Sequence, residues 1–188
     1  VAVISGSLPP GVPVDAHCRI AELRQAAGCR LIVDTSGPAL AHLAGVGGTG
    51  IDTLIMDEFE AGRLFEVGNI DAVEASARAG LLVRRGVART VVITLGGHGA
   101  VAVTAEGAWQ VTPPQVRVES AVGAGDSFVA AFAIASAEGR TLAGTMRYAM
   151  GAATSAVTTP GTELCAREGT ETYSRLAICA PLVPPDKS

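Results

Sequence analysis

Val122-Gly123-Ala124-Gly125-Asp126-Ser127-Phe128 is the stretch on which the fold and the chemistry of this chain turn. Two glycines and an alanine stand directly before an acid, and an apolar run of helical character follows from Phe128. Gly123 and Gly125 allow backbone conformations closed to other residues, so successive N–H groups can point into one cavity. That cavity falls at a predicted helix N-terminus, where unpaired N–H groups and the positive dipole end favour an anion. Asp126 then sits in the first turn, a carboxylate beside a place suited to phosphate. The same carboxylate could simply cap the helix. Spacing alone leaves both readings open.

Working outward, the 188 residues are enough for one domain with a sizeable core. Hydrophobic residues make up 48% and charged ones 17%, which excludes a disordered or highly charged chain. The formal net charge of −4 argues against nucleic acid or an anionic membrane as partner. Gly, Pro or charge interrupts each apolar stretch before it reaches transmembrane length. Cys18, Cys29, Cys165 and Cys179 form no C-x-x-C pair, so free thiols in a reducing compartment are expected. With no charged-then-apolar leader, the expected location is the cytoplasm.

Val1 to Ile4 is a continuous apolar run, consistent with a strand buried on both faces. A turn-rich loop spans Ser5 to Pro13. A helix is expected from Val14 to Ala27, with Ile20 and Leu23 on its apolar side and Gly28 as the stop. Leu31-Ile32-Val33 reads as a strand ending in Asp34-Thr35-Ser36-Gly37, with a short helix after Pro38. Gly45 to Gly50 matches the G-x-G-x-x-G pattern of dinucleotide sites. It follows a helix and precedes the strand Ile51–Ile55, the reverse of the order that pattern needs, so it is read as a loop. Helices follow at Asp57–Glu66 and Ile70–Arg85, a strand at Thr90–Thr94, and a hairpin from Ala100 to Thr112. Two Ala-rich helices, Asp126–Glu138 and Leu142–Val157, have small side chains that permit close packing. A last helix is expected at Glu168–Ile178.

Strands alternating with helices predict a mainly parallel sheet flanked by helices on both faces, a three-layer α/β/α fold. The domain spans residues 1–178, and 179–188 form a Pro-rich tail, disordered from Pro181 to Ser188. Ligands of such sheets bind outside the carboxyl ends of the strands, where the loops after Ile4, Val33, Ile55 and Thr94 emerge.

Ser120 to Ser127 resembles the C-terminal signature of the PfkB (ribokinase-like) carbohydrate kinases. Further landmarks stand in that family's order: Ser5-Gly6-Ser7-Leu8-Pro9-Pro10-Gly11, Val33 to Gly37, Thr94 to Gly99, and Pro160-Gly161-Thr162. Together they reach to about Leu176, and they are most similar to the sugar-phosphate branch, the phosphofructokinases and tagatose-6-phosphate kinases. The resemblance implies a ribokinase-like fold in which the usual amino-terminal part and lid are absent here.

It also implies ATP and magnesium as cofactors and a sugar phosphate as substrate. By that resemblance Asp126 is the base on the acceptor hydroxyl, and Gly123, Ala124 and Gly125 form an anion hole. Thr94, Gly96, Gly97, His98 and Gly99 fall to the nucleotide, though an ordinary turn would look the same. Asp57 and Glu60 fall to magnesium and phosphate, unless they are only an acidic first turn that complements the helix dipole. Ser7 falls to the substrate, and Ser120, Val122 and Gly161 to a potassium ion. Proteins of this family often dimerise through the lid absent here, so the resemblance allows a homodimer and leaves the oligomeric state open.

Four positions depart from the family pattern. Ile55 replaces a lysine, Met56 a proline and Asp57 an asparagine, which puts nucleotide affinity in doubt, and Glu163 stands where a basic residue is common. An alternative is therefore a nucleotide-binding remnant without catalysis. No Gly-Lys-Ser/Thr follows the glycines, so a P-loop enzyme is disfavoured. His17 and His42 have no zinc spacing.

Overall fold

The computed structural model describes residues 1–161 and 163–182. Thr162 and the tail 183–188 lie outside the described residues. Seven strands form one sheet in chain order: β1 (Ala2–Ser5), β2 (Leu31–Asp34), β3 (Ile51–Asp57), β4 (Ala88–Thr94), β5 (Ala100–Thr104), β6 (Gly107–Thr112) and β7 (Ile178–Pro181). The first four pair in parallel, with Ile4 opposite Val33, Val33 opposite Leu54 and Leu54 opposite Val91. Only Ala105 and Glu106 separate β5 from β6, a connection that antiparallel strands alone can take.

The chain divides into two compact units. The first holds residues 1–95, 101–108 and the chain from Pro181, with helices α1 (Ala16–Ala26), α2 (Gly37–Val46), α3 (Glu58–Phe65) and α4 (Ala72–Arg84). Leu31 and Val33, Leu54 and Met56, Val91 and Ile93 alternate onto one sheet face. There they join Ala21 of α1, Leu40 and Leu43 of α2, Ala61 of α3, and Ala75, Ala79 and Leu82 of α4 in one core. Parallel neighbours joined by right-handed crossovers place successive helices on the same side. The opposite set, Ile32, Ile55 and Val92, is buried too, which explains the unbroken apolar runs of these strands.

Two expectations for the first unit are corrected. β1 is an edge strand whose alternate residues face outward, Val3 being 43% exposed, so it is not buried on both faces. The core face of α1 is His17 and Ala21, whereas Ile20 and Leu23 point away from it. Ala21 fits against the sheet where a larger side chain would hold the helix off.

Arg24 fixes the C-terminal end of α1. It pairs with Asp52 at 2.9 Å and donates to the carbonyls of Cys29 and Gly50, while Asp52 also accepts from the Leu31 amide at 2.8 Å. The glycine-rich loop after α2 lies at this same amino end of the sheet. Its Gly48 and Thr49 amides donate to the Arg85 and Gly86 carbonyls, and a Cβ on Gly47 would stand 2.6 Å from the Arg85 oxygen. The loop packs on protein at the end opposite the strand carboxyl ends, as rejection of the dinucleotide pattern required.

His17 is fully buried, and neither ring nitrogen has a partner among the described residues. Burial lowers its pKa below the usual 6.5, so the folded chain keeps it neutral. As pH falls through about 6.5 the unfolded chain takes up the proton first, and stability falls by at most about 1.4 kcal/mol per pH unit. His17→Leu is expected to flatten this acid limb in urea unfolding between pH 7.5 and 5.5. An unchanged slope would place the titration elsewhere.

The second unit holds 96–100 and 109–180, with α5 (Ala124–Ala137), α6 (Leu142–Val157) and α7 (Arg167–Leu176). The predicted close packing of small residues is present. A Cβ on Gly151 of α6 would lie 2.5 Å from the Thr170 carbonyl oxygen and 2.6 Å from the Ser174 nitrogen of α7. Ser155 Oγ meanwhile accepts from the Ala166 amide at 3.2 Å, at the start of α7. Phe128 and Phe132 stack along α5 with centroids 6.3 Å apart. The expected helix through Ile178 stops at Leu176, and Ile178 to Pro181 turn into β7. The chain continues to Leu182, whose amide donates to the Ala108 carbonyl at 2.8 Å, so ordered structure runs past the predicted domain limit at 178.

Candidate active site

In the first unit the polar residues gather at the carboxyl ends of β1 to β4. Ser5 pairs with Asp34 across β1 and β2, and its hydroxyl donates to the Asp34 carboxylate at 2.8 Å. Ser36 Oγ lies 3.5 Å from Ser7 Oγ, bringing the predicted substrate residue Ser7 beside the loop after β2. Asp57 stands opposite Thr94 in the β3–β4 register. A hollow of about 440 Å³ opens among Ser7, Pro9, Val12, Ser36 and Pro38, and a cleft of about 600 Å³ among Ser36, Gly37, Leu40, Asp57, Glu60 and Arg63. Both are large enough for a small-molecule ligand.

Asp57 and Glu60 have a structural task that the sequence reading gave only as an acidic first turn. Asp57 is the N-cap of α3: its Oδ1 accepts from the Glu60 amide at 2.7 Å, and Glu60 Oε2 accepts from the Asp57 amide at 2.9 Å. This reciprocal pair is a capping box. Among the described residues, it leaves one oxygen of each carboxylate without a hydrogen bond. Burial raises the Glu60 pKa, the bond from Asp57 N–H counters this, the charges of Asp57 and Asp34 raise it again, and Arg63 lowers it.

Asn caps a helix as well as Asp does, so Asp57→Asn is expected to match wild-type stability while Asp57→Ala loses about 1–2 kcal/mol. Chemical denaturation distinguishes them, and equal losses in both variants would remove the capping role. The lysine position fares differently. Ile55 and Met56 are 2% and 1% exposed, because β3 runs two residues further than the predicted Ile55 end. Ile55 and Met56 therefore belong to the packed interior.

In the second unit, Gly96 to His98 form a 3₁₀ turn closed by Gly99 N–H donating to the Gly96 carbonyl at 3.1 Å. Gly99 has φ +99°, and a Cβ there would overlap the Val111 carbonyl. Gly96 is also left-handed, whereas Gly97 and His98 are not. Thr94 ends β4 just before this turn.

Gly123, at φ +79°, is the N-cap of α5, and its carbonyl accepts the first helical bond from Ser127 at 2.9 Å. Gly125 is already helical and needs no special conformation, which corrects the expectation that both glycines do. The Ala124 amide is directed to the Ala121 carbonyl at 3.4 Å. Within the motif, the amides with no acceptor among the described residues are therefore those of Gly123, Gly125 and Asp126, the last two in the first turn of α5. Asp126 itself is exposed in the first turn.

At the other end of the motif, Ser120 Oγ accepts from the Val122 amide at 3.2 Å. The Glu119 and Ser120 amides donate to the Val157 carbonyl at 2.8 and 3.4 Å. Thr159 Oγ1 donates to the Ala156 carbonyl at 2.7 Å. Gly161 is left-handed at φ +64°. The carbonyls at the end of α6 are thus already engaged within the protein.

Polar groups at the carboxyl ends of a parallel sheet stand where open α/β sheets bind their ligands. The chain belongs to the pfkB family of carbohydrate kinases, whose sequence model matches residues 1–168. It is 37% identical over 171 residues to ATP-dependent 6-phosphofructokinase isozyme 2 of Escherichia coli (strain K12), a match that covers 91% of this chain and 55% of that protein. It is 35% identical over 136 residues to 1-phosphofructokinase of Xanthomonas campestris pv. campestris, covering 71% of this chain and 42% of that one. The crystal structure of phosphofructokinase-2 from Escherichia coli in complex with potassium superposes with a TM-score of 0.84 at 35% identity, over 93% of this chain and 56% of that chain. The ribokinase-like fold expected from the sequence is the fold found, and the chain spans about half the length of the relatives it matches.

None of the described helices is long and apolar enough to cross a membrane, and no group of three or more potential metal ligands occurs among the described residues. All four cysteines are free thiols. The sequence reading missed three features of the site: the capping box, Arg63 on the cleft wall, and which amides of the glycine motif stay open. The first was visible as Asp57-x-x-Glu60, a cap followed three residues later by glutamate. The others depend on backbone geometry.

Proposed function

We propose that this chain is the catalytic portion of an ATP-dependent sugar-phosphate kinase of the phosphofructokinase type. It transfers the γ-phosphoryl group of ATP to a hydroxyl of a phosphorylated ketohexose. The observation that carries this reading is Asp126 in the first turn of α5, exposed beside the open amides of Gly125 and Asp126. The Asp126 carboxylate accepts the proton of the acceptor hydroxyl as its oxygen bonds to the γ-phosphorus, and the bond to the bridging oxygen breaks to release ADP. The amides meet the charge on the transferring group, aided by the positive end of α5.

Asp57 and Glu60 would hold magnesium through their uncommitted oxygens, since magnesium is commonly bound by one or two carboxylates together with substrate phosphates. Bound there, it would neutralise phosphate charge. The turn from Gly96 to Gly99, with Thr94 before it, receives the nucleotide, and Ser7 contacts the sugar phosphate. Ser120, Val122 and Gly161 remain the proposed potassium ligands, supported by the potassium complex of the similar phosphofructokinase-2. Work in the cytoplasm and assembly as a homodimer belong to the same reading.

ADP release is to be measured with magnesium ATP and potassium, offering fructose 6-phosphate, fructose 1-phosphate and tagatose 6-phosphate separately. Release that depends on one sugar names the substrate. The burial of Ile55 favours a second reading, a nucleotide-binding remnant. A folded chain that binds ATP and releases no ADP with any of the three would support that reading and overturn the kinase.

A further inference from the structure

We infer that Arg63 is the phosphate-binding cation of the cleft between α2 and α3, an inference that rests on the kinase reading of the same site. Asp57 and Glu60 line that cleft, so an anion is repelled unless positive charge is supplied on the spot. Arg63 is the one basic side chain among the lining residues. It is exposed, and among the described residues it makes no hydrogen bond or ion pair.

That freedom has a cause. Arg78 pairs with Glu74 one turn before it, and Arg19 with Asp15 in the same way. Four residues before Arg63 stands Phe59, not an acid, and Glu60, three residues before it, has its Oε2 held by the Asp57 amide in the capping box. The guanidinium still lies close enough to lower the Glu60 pKa, so it acts on the cleft without being tied to its wall. β3 provides no substitute, because Ile55 and Met56 are buried. A guanidinium presents a planar fork of donors that matches phosphate oxygens two at a time. Phe59, 70% exposed, lines the same cleft.

The phosphate could belong to the nucleotide or to the sugar, and the test separates them. Calorimetric titrations of the full chain use magnesium ADP in one arm and fructose 6-phosphate in the other, with wild type, Arg63→Gln, Arg63→Lys and the control Arg19→Gln on the exposed face of α1. Arg63→Gln is expected to weaken at least one ligand about tenfold or more, with Arg63→Lys between it and wild type. Loss confined to ADP assigns the nucleotide phosphate, and loss confined to fructose 6-phosphate assigns the acceptor phosphate. If the wild type binds and Arg63→Gln binds equally well, the inference about Arg63 is overturned while the kinase reading stands. A wild type that binds neither ligand overturns both.

Discussion

Asp126→Asn is expected to lower sugar-dependent ADP release by about 10²–10⁴-fold, the usual contribution of a positioned general base, equivalent to about 2.7–5.4 kcal/mol of barrier. The substitution keeps the size of the side chain and removes its ability to take a proton. Asp126 is exposed and, among the described residues, its side chain makes no hydrogen bond or ion pair, so the fold should not register the change. Nucleotide affinity should also hold, because the open amides of Gly125 and Asp126 remain. Turnover, urea midpoint and ADP affinity measured together therefore separate the two tasks open to this residue. A variant that loses stability but keeps its turnover per folded molecule would make Asp126 a cap and nothing more.

Gly99→Ala carries the largest expected structural effect. Its Cβ would run into the Val111 carbonyl and its φ of +99° is hostile to any side chain, so one of two backbones must move. A loss of about 3–4 kcal/mol follows from combining backbone strain with overpacking. In a chain of this size that is roughly 10 °C in Tm. Gly97→Ala is the internal control two residues away. A Cβ there meets nothing within 4 Å and the backbone is unstrained, so its Tm should stay near that of wild type. If both variants melt alike, the turn is pliable and the overlap at Gly99 is relieved by movement. Because this turn is also the proposed nucleotide contact, Gly97→Ala tests function at little structural cost: a Cβ in open space can obstruct only a ligand.

The sequence was most legible where chemistry and period agree. Leu31 to Val33 and Val91 to Ile93 are buried because both sheet faces are covered, and α6 begins at Leu142 after the cap Thr141, whose hydroxyl accepts from Gly144 N–H at 3.2 Å. Legibility failed where a residue's surroundings come from far along the chain. Nothing in Ile20 or Leu23 tells that His17 and Ala21 face the sheet, since that depends on how close the helix must approach. β7 was unreadable for the same reason: four residues after a helix become a strand only because a partner edge is waiting. In the glycine motif, composition identified the place but not the geometry, so Gly125 received a conformational role that belongs to Gly123 alone.

The strand order has a consequence for how the chain can assemble. From β1 to β6 every strand pairs with the one that follows it in sequence, as Ala2 with Leu31, Ile32 with Thr53 and Ile51 with Ala88. Loop-closure entropy then rises slowly, and no strand must wait for a later one to be threaded beside it. The sheet can grow by accretion in the order the chain is made. β7 is the exception: α5, α6 and α7 all lie between it and its neighbour β6. Its docking closes the longest loop between neighbouring strands among the described residues, and in a growing chain it must come last.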